Sequence, residues 1–572
     1  MYRLKKINII FIILLIFQVG FSQKKEYKLN VLDTSLTIIK KSTFTDSLNL
    51  IYYLNKIKNK YISKAYIDAG YDKIEWKDTV FAIFNTGKKY KWGHVSIKNN
   101  YDIIPRSSFK ILQANKTINI NDFEKELDNT ITFLENNGYP FSTIKLDSIL
   151  VEKNKINAII EIKKNKYITI DSINIKGNTK TSIKYLKLYL DIKENKAYNE
   201  SKIISIDEKL NNLSFINLRR PTEILFYQDK VKLNLYTDKK QVNKFDGILG
   251  VIPNDKTTGK LAITGELKMI LKNSFGRGES IIAEWQKTDL ESQKLHTEIY
   301  FPYIFNTIIG INGLFKLLKQ DTSFVNLRVR GGLSFILPNS KKINIFIENK
   351  TSNLLSVTQY KNLTVLPDFA DTKIILYGLG LKIKKTNRAY SPTKGYMIYA
   401  EAAYGNKTIK KNTKLPEELY NDINLSSAQI EAKLNSLLYL KFTKHINLKL
   451  RADLVYINNQ KIFINDLYRF GGLKTLRGFN EDELFADFVS SGTIQLNYFY
   501  EEYSSFYFFT DFAYYENHIT NLIHDTPIGI GIGTNFSTKA GIFTVSYALG
   551  KQFNNPFQFN NARIHIGYIS VF

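Results

Sequence analysis

The stretch LYRFGGLKTLRGFNEDELFADF, residues 467–488, decides how this chain is organised. It is too rich in glycine and charge for a membrane-crossing strand, although strand-like runs lie on both sides of it. Gly471, Gly472 and Gly478 permit tight turns that other residues would resist. Arg477 is a single fixed cation near the tip of this long loop. If the flanking strands close into a barrel, the loop can fold inward, and the guanidinium then requires an acidic partner on the wall.

Runs of strand length with alternating polarity fill the C-terminal part of the chain. Between residues 241 and 572 we find sixteen such runs, the first at 245–251 and the last at 563–572. About 21 residues are available for each strand and its connection, which suffices for the ~9–11 residues of a transmembrane strand and a loop. The pattern predicts an all-β membrane fold: a 16-stranded antiparallel transmembrane β-barrel over 241–572, with 461–490 as an inward-folding loop. A soluble β-sandwich is the alternative.

The N-terminus predicts an export signal over residues 1–22. Arg3, Lys5 and Lys6 precede an apolar run at 7–17, and small residues follow before position 23, as in a cleavable signal peptide. An uncleaved anchor is the alternative, although the run is short for a membrane-spanning helix. Export favours the barrel over the sandwich.

The N-terminal third of the chain mixes helical and strand periods. It predicts three α+β modules at 23–90, 91–167 and 168–240, with helices at 45–69 in the first module and 121–137 in the second. Small sheets of this kind leave edges exposed, and an exposed edge can accept an extended peptide as an additional strand. The alternative is that the modules only space the barrel from another structure.

Composition excludes several functional classes. The formal charge of +27 comes from lysines scattered among acids, and no stripe typical of nucleic-acid binding is present. The absence of cysteine excludes disulfides and cysteine–zinc sites. The six histidines lack metal-site spacing, and Gly529, Gly531 and Gly533 lie in a strand-like run without the helix of a dinucleotide site. We therefore expect no enzyme activity, no cofactor, no metal and no nucleic-acid partner.

Taken together, these features resemble the POTRA-plus-barrel superfamily of outer-membrane assembly factors, the BamA/TamA family. The run LRGF at 476–479, ending in Phe479, matches the hallmark loop between the eleventh and twelfth strands. The resemblance implies that Arg477 points into the lumen towards an aspartate on the thirteenth strand, where Asp511 stands. Gln495 occupies a position where some members have glutamate. In a partly wet interior, the ion pair is expected to contribute ~1–3 kcal/mol.

The resemblance also implies a barrel whose first and last strands pair weakly and part sideways, so that client strands add to the exposed edge. Gly247 and Gly250 in the first strand and Gly567 in the last would weaken this seam, because glycine weakens strand pairing. The last strand ends at Phe572, which completes the candidate lateral gate.

Three modules are more similar to TamA than to BamA, which usually carries five. The implied location is the bacterial outer membrane, with the modules in the periplasm. The implied partners are unfolded β-rich client proteins, the lipid bilayer and an inner-membrane-anchored protein similar to TamB. Two alternatives stay open: a two-partner secretion transporter for one dedicated secreted protein, and a passive channel with periplasmic arms.

Overall fold

The computed structural model describes residues 27–34, 37–98, 114–253, 261–287, 292–337, 341–356, 366–388, 391–519, 522–538, 541–553 and 555–569. The predicted export signal lies outside these residues. The chain divides into two compact units: Met1–Ile170 with Asn195–Ile203 and Phe226–Val231, and Asp171–Glu194 with Ile204–Leu225 and Lys232–Phe572. The predicted third module, 168–240, is thus shared between the two units, and the predicted module boundaries stay predictions.

The first sheet and its helix consist of β1 (Tyr27–Leu32), β2 (Ile38–Phe44), α1 (Ser47–Ile62), β3 (Gly70–Glu75) and β4 (Thr79–Asn85). The sheet order is β2-β1-β4-β3, with β2 and β3 at its edges. Asp46 begins α1 by accepting the Leu48 backbone N–H at 2.6 Å. The predicted helix 45–69 is too long, because Ala65 adopts a left-handed φ of 77° and Gly70 already begins a strand.

The second sheet consists of β5 (Lys91–Lys98), α2 (Ile120–Asn136), β6 (Thr143–Glu152) and β7 (Lys155–Lys163), in the order β5-β7-β6. The helix prediction 121–137 is confirmed to within one residue. Asn119 accepts the Asp122 backbone N–H at 3.4 Å at the start of α2, and Phe123 and Leu134 carry its apolar face into the core. This amphipathic period is what made the helix readable from sequence.

The segment before the large sheet contains β8 (Thr169–Ile175), α3 (Ile183–Leu190), α4 (Glu200–Ile204), α5 (Ile206–Asn211), β9 (Ile216–Leu218), β10 (Glu223–Tyr227), β11 (Lys230–Leu235) and β12 (Thr237–Lys239). Three of these strands form a sheet in the order β10-β11-β8, and β12 pairs with β9. Throughout the described ranges, we find no helix that is both long and apolar enough to cross a membrane.

One large antiparallel sheet follows. Its strands are β13 (Lys244–Pro253), β14 (Leu261–Lys272), β15 (Ser280–Lys287), β16 (Gln293–Phe301), β17 (Ile309–Gln320), β18 (Phe324–Leu337), β19 (Lys341–Leu354), β20 (Thr372–Thr386), β21 (Gly395–Ile409), β22 (Ser426–Lys441), β23 (Ile446–Asn458), β26 (Phe488–Phe499), β27 (Ser505–Asn517), β28 (Ile523–Asp525), β29 (Ile528–Ser537), β30 (Ile542–Lys551) and β31 (Arg563–Ile569). Neighbours in sequence are neighbours in the sheet, so the topology is up-and-down.

The two faces of this sheet differ in chemistry. On β26, Thr493, Gln495 and Asn497 are buried, whereas the alternate residues Ile494 and Leu496 are exposed. The same alternation continues along the sheet, where exposed apolar side chains include Ile345, Ile347, Tyr377, Leu379, Tyr404, Leu434, Tyr498, Phe506, Phe508, Ile532, Ile564 and Ile566. An apolar outer face opposite a polar inner face is the pattern of a sheet surrounded by lipid.

Sixteen of the seventeen strands have at least seven residues, and the seventeenth, β28, has three. Both β28 and β29 pair with β27, so β28 extends the same side of that strand. Among the described residues, β13 and β31 are each paired on one side only and not with each other. The number sixteen and a hydrogen-bonded closed ring therefore stay predictions, while the large antiparallel sheet is confirmed.

Candidate functional site

The connection between β23 and β26 folds onto the inner face of the large sheet. Its arms pair as two short strands, β24 (Tyr468–Phe470) and β25 (Leu484–Ala486); we call residues 461–487 the interior hairpin. Strands far apart in the sheet reach it. Lys294 on β16 contacts Asp482 at 2.8 Å, and His565 on β31 contacts Gly478 at 3.1 Å. The large sheet therefore curls around the hairpin.

Glycines shape the tip of the interior hairpin. Gly471 and Gly472 have φ values of 121° and 88°, which side chains with a Cβ rarely adopt. A Cβ on Gly472 would also overlap the carboxylate of Glu481, which accepts the Leu473 backbone N–H at 2.8 Å. Thr475 Oγ1 accepts the Gly471 N–H at 2.8 Å and closes the turn. The tip is thus a fixed loop.

Arg477 is bound to Asp511 on β27 by a bidentate ion pair. Its Nε donates to Asp511 Oδ2 and its Nη2 to Oδ1, both at 2.7 Å, and its backbone N–H donates to Oδ2 at 3.0 Å. Thr493 Oγ1 donates to Oδ1 at 2.7 Å. The guanidinium carbon lies 3.4 Å from the Phe509 ring centroid. Arg477 is 6 % and Asp511 is 1 % exposed, so the pair is dry rather than partly wet.

Gln495 supplies the remaining contact of the guanidinium. It accepts from Arg477 Nη1 at 2.9 Å, and its own Nε2 donates to Asn497 Oδ1 at 2.8 Å. Asn497 in turn donates to Asn447 Oδ1 at 2.9 Å. The position that some family members fill with glutamate is neutral here, and a chain of amides orients it. Asp511 is consequently the sole carboxylate within 4 Å of Arg477 among the residues that the structure describes.

Phe479 secures the hairpin by apolar packing. It is 6 % exposed and lies in a buried cluster with Phe470 and Leu476 of the hairpin. The strand residues of this cluster are Val455, Ile457, Val489, Ala513 and Tyr515. Burying an aromatic side chain of this size contributes about 1.5–3 kcal/mol. The hairpin is therefore held by packing as well as by charge.

Glycines on the strands make room for the hairpin backbone. A Cβ on Gly529 would overlap the carbonyl oxygen of Arg477, and one on Gly550 would overlap that of Gly478. On Gly567, a Cβ would lie 2.6 Å from Leu473 Cδ2. These residues lie on β29, β30 and β31. Gly529 lies in the strand-like run identified from the sequence, and the hairpin occupies the space that its missing side chain leaves.

Two wall residues that the sequence did not reveal also bind the tip. Arg451 on β23 donates its two Nη groups to the carbonyl oxygens of Lys474 and Thr475. His565 Nε2 accepts the Gly478 backbone N–H at 3.1 Å, and His565 is 8 % exposed. Neither belongs to a motif. Their inward position in strands of alternating polarity was the one available signal.

The base of the hairpin has an ion pair of its own. Lys407 on β21 is 1 % exposed, and its Nζ lies 2.5 Å from Asp466 Oδ2 and from the Lys461 carbonyl oxygen. Beside it, Asn465 Nδ2 donates to Ser352 Oγ at 2.8 Å. The sequence analysis missed this pair because 59 residues separate its members. The interior hairpin is thus fastened at both ends.

The candidate gate residues do not form one cluster. Gly247 lies on β13 on the same face as the exposed Phe245, because strand side chains alternate with period two. Gly567 points inward to Leu473, so the two glycines lie on opposite faces. Gly250 lies within β13, and Phe572 lies outside the described residues. The role of all four in a gate stays a prediction.

Comparisons with known proteins give distant relatives. No family model matches the chain. It is 22 % identical over 372 residues to the outer membrane protein assembly factor BamA of Neorickettsia risticii (strain Illinois), covering 61 % of this chain and 47 % of that protein. It is 23 % identical over 233 residues to the BamA of Neisseria meningitidis serogroup B, covering 39 % and 28 %. The chain thus spans about half or less of the length of these relatives.

The solved structure of CdiB from Escherichia coli has a TM-score of 0.52 to this chain at 12 % identity, covering 91 % of this chain and 96 % of that one. Such a score at such an identity shows a shared fold. The outer-membrane relatives agree with the predicted location and with the apolar outer face of the sheet. Sequence and fold together confirm the resemblance to the POTRA-plus-barrel superfamily of BamA and CdiB, and nothing in these comparisons singles out TamA.

Proposed function

We propose that this protein assembles β-rich client proteins in the bacterial outer membrane, with its N-terminal modules in the periplasm. The observation that carries the proposal is the interior hairpin, held by the Arg477–Asp511 ion pair inside a sheet with an apolar outer face. The curated relatives of this chain are named outer membrane protein assembly factor BamA. Insertion of a client requires no covalent reaction, because strand pairing and the burial of apolar side chains in lipid favour it.

The seam between β13 and β31 supports a lateral path for clients. Each strand has an unpaired edge among the described residues, and an unpaired edge is a template for another strand. Gly247 on β13 and Gly567 on β31 have no side chain with which to hold another strand, and glycine weakens strand pairing. A client strand would pair with β13 or β31 and pass sideways into the lipid.

The modules offer edges that suit extended clients on the periplasmic side. In the second sheet, β6 is an edge strand, and its residues Ile149, Leu150 and Val151 are exposed. Edge strands with apolar side chains bind extended peptides by backbone pairing. Unfolded outer-membrane proteins contain extended segments in which apolar and polar residues alternate. An inner-membrane-anchored partner similar to TamB belongs to this proposal as a further expectation.

The second candidate is a two-partner secretion transporter with one dedicated secreted protein. The observation in its favour is the fold similarity to CdiB, which extends over most of both chains. Depletion of the protein, followed by quantitative proteomics of the outer membrane and the medium, separates the candidates. Loss of many outer-membrane proteins supports assembly, and loss of one secreted protein supports secretion. No change in either would contradict both and leave a passive channel.

Lateral opening has its own test. We expect a bismaleimide crosslink between Phe245→Cys and Ile566→Cys to block activity, because both positions are exposed on the outer face of the first and last strands. A crosslink between Gly247 and Gly567 is less suitable, because these two residues lie on opposite faces of the sheet. The native chain has no cysteine, so the unlinked double variant is the matched control. Full activity of the crosslinked protein would rule out opening at this seam.

A further inference from the structure

The inner face of the large sheet contains a cavity that Arg477 and Asp511 do not line. Its volume is about 610 Å³, and its wall comes from strands β15 to β23 together with the base of the interior hairpin. This volume lies within the range of ligand-binding pockets in proteins, about 300–1,000 Å³. No client strand is needed to form it, and the proposed function leaves it without a role.

The basic side chains around this cavity fall into two sets. Carboxylates neutralise three of them, through the pairs Arg328–Glu348 at 2.8 Å, Arg330–Glu401 at 2.7 Å and Lys350–Glu431 at 2.5 Å. Within the described part of the chain, no carboxylate lies within 4 Å of the other four, which are Lys316, Lys342, Lys382 and Lys433. The wall therefore pairs its arginines directly with carboxylates, whereas these four lysines have carboxylates such as Glu298 only at longer range.

Strand pairing places two of these lysines directly opposite each other. Lys342 on β19 faces Lys382 on β20, and both line the cavity. Like charges opposite each other in a sheet destabilise it. Elsewhere in the same wall, the basic Arg330 lies opposite the acidic Glu348, so opposite charges are paired there. The Lys342–Lys382 pair costs stability unless an anion from outside the chain neutralises it.

A neutral amide beside the two lysines, that of Asn344, is oriented as a hydrogen-bond donor. Asn344, two residues after Lys342 on the same face, accepts the Ser334 hydroxyl at 2.6 Å through Oδ1. This contact turns its Nδ2 the other way, and the described residues provide no acceptor for that nitrogen. Lys342 Nζ lies 3.4 Å from the Tyr300 ring centroid, which holds the side chain against the wall. Two ammonium groups and one amide N–H thus face the cavity without a salt bridge or hydrogen bond to a carboxylate of the described chain, although Glu298 also lines the cavity.

We propose that this cavity binds a phosphate group, through Lys342, Lys382 and Asn344. A phosphate has several acceptor oxygens and enough charge to offset both lysines. Ammonium groups bind phosphate as point charges, and the arginines here, which could also bind phosphate, already have carboxylate partners. The ligand is therefore a phosphate in a soluble phosphomonoester or in an anionic lipid head group. The inference does not depend on client assembly.

The test measures thermal unfolding of the full protein in phosphatidylcholine nanodiscs, with inorganic phosphate titrated against chloride at constant ionic strength. We expect phosphate to raise the melting temperature of the wild type. Lys342→Gln should melt higher than the wild type without phosphate, because the repulsion is relieved. Its apparent phosphate dissociation constant should rise at least tenfold. Lys441→Gln, an exposed lysine at the end of β22, is the charge-matched control and should behave as the wild type.

Asn344→Leu separates a binding site from a general charge effect. It keeps both lysines, so it should weaken the response to phosphate without raising the melting temperature in phosphate-free buffer. An equal response to phosphate in the wild type, Lys342→Gln and Asn344→Leu would overturn the proposal. Nanodiscs containing phosphatidic acid identify the source. Loss of the response there indicates that lipid phosphate already fills the cavity, and an unchanged response indicates a soluble ligand.

Discussion

Two parts of the inner face of the large sheet differ in the side chains that line them. We call the wall formed by β26 to β31 the neutral wall: Arg477 pairs with its buried Asp511, and Gly529, Gly550 and Gly567 leave space for the hairpin. The wall formed by β17 to β21 is highly charged and faces a cavity. In both walls, the inward-facing residues alternate along each strand with apolar residues that face outward. The outer face is constrained by lipid alone, whereas each inner wall is constrained by what occupies it.

The neutral wall is complementary to part of the same chain. Its contacts with the interior hairpin run through backbone atoms as well as side chains, as with the carbonyl oxygens of Arg477 and Gly478. The charged wall also holds the base of the hairpin, through Lys407 on β21 and Ser352 on β19. Its Lys342 and Lys382 form no ion pair within the described chain. We infer that the neutral wall mounts the tip of the hairpin and that the charged wall, besides holding the base, serves an occupant from outside.

Among the substitutions that test this comparison, removing the charge at the tip of the hairpin should have the largest effect on stability and activity. Arg477→Ala leaves Asp511 buried without a partner, and breaking a dry ion pair costs about 3–5 kcal/mol. We expect a barrel that still forms but loses most complementation of a depletion strain. Urea unfolding in detergent and growth measure the two effects. Arg469→Ala on the same hairpin, which loses one hydrogen bond to Gln320, is the control and should retain most activity.

Substitutions at the base of the hairpin should destabilise the protein nearly as much. Lys407→Met leaves Asp466 buried and uncompensated, which we expect to cost about 3 kcal/mol in urea unfolding. The double variant Lys407→Met/Asp466→Leu removes both charges and should recover most of that loss, because a buried pair often exchanges for apolar residues at little cost. A double variant less stable than Lys407→Met would contradict this account of the base.

Glycine substitutions test whether the neutral wall is fitted to the hairpin backbone. Gly550→Ala should destabilise by about 1–3 kcal/mol, since its Cβ would overlap Gly478 and overpacking has costs of that order. Gly331→Ala, on β18, adds the same atom where nothing lies within 4 Å, and should change stability little. Equal melting temperatures for the two variants would show that the hairpin does not rest against β30.

The smallest effect is expected at the last strand. His565→Leu leaves the Gly478 N–H buried without an acceptor, and the loss of this one neutral hydrogen bond should cost about 1 kcal/mol. His565→Gln keeps an acceptor and should recover part of the loss. Ile564→Ala, on the outer face of the same strand, is a control for β31 itself. If His565→Leu unfolds at the same urea concentration as the wild type, the last strand does not hold the hairpin.

The sequence predicted what depends on period and on local motif. Alternation predicted the large sheet, and the 3.6-residue period predicted α2 within one residue. The partner of Arg477 came from the family resemblance, since Asp511 is 34 residues away. Lys407 and Asp466 were missed because an ion pair across distant strands leaves no periodic trace. Helix α1 was predicted too long, because a left-handed Ala65 cannot be seen in a helical pattern.

The predicted energy of the ion pair also changed with the structure. A wet interior would screen Arg477 from Asp511, whereas both groups are buried here and the Phe509 ring lies against the guanidinium. The sequence shows the charges but not their dielectric environment, which depends on side chains from other strands. The gate residues were predicted from the family resemblance and from the glycines in the first and last strands. That Gly247 and Gly567 face opposite sides follows from strand register, which requires coordinates.

A double-mutant cycle on Arg477→Ala and Asp511→Ala, by urea unfolding in detergent, tests the central claim most directly. Contacting residues show coupling energies of about 0.5–3 kcal/mol. For this buried bidentate pair, we predict a coupling of at least about 2 kcal/mol, with the double variant scarcely less stable than either single one. Additive losses, with a coupling below about 0.5 kcal/mol, would contradict an interior hairpin held by Asp511.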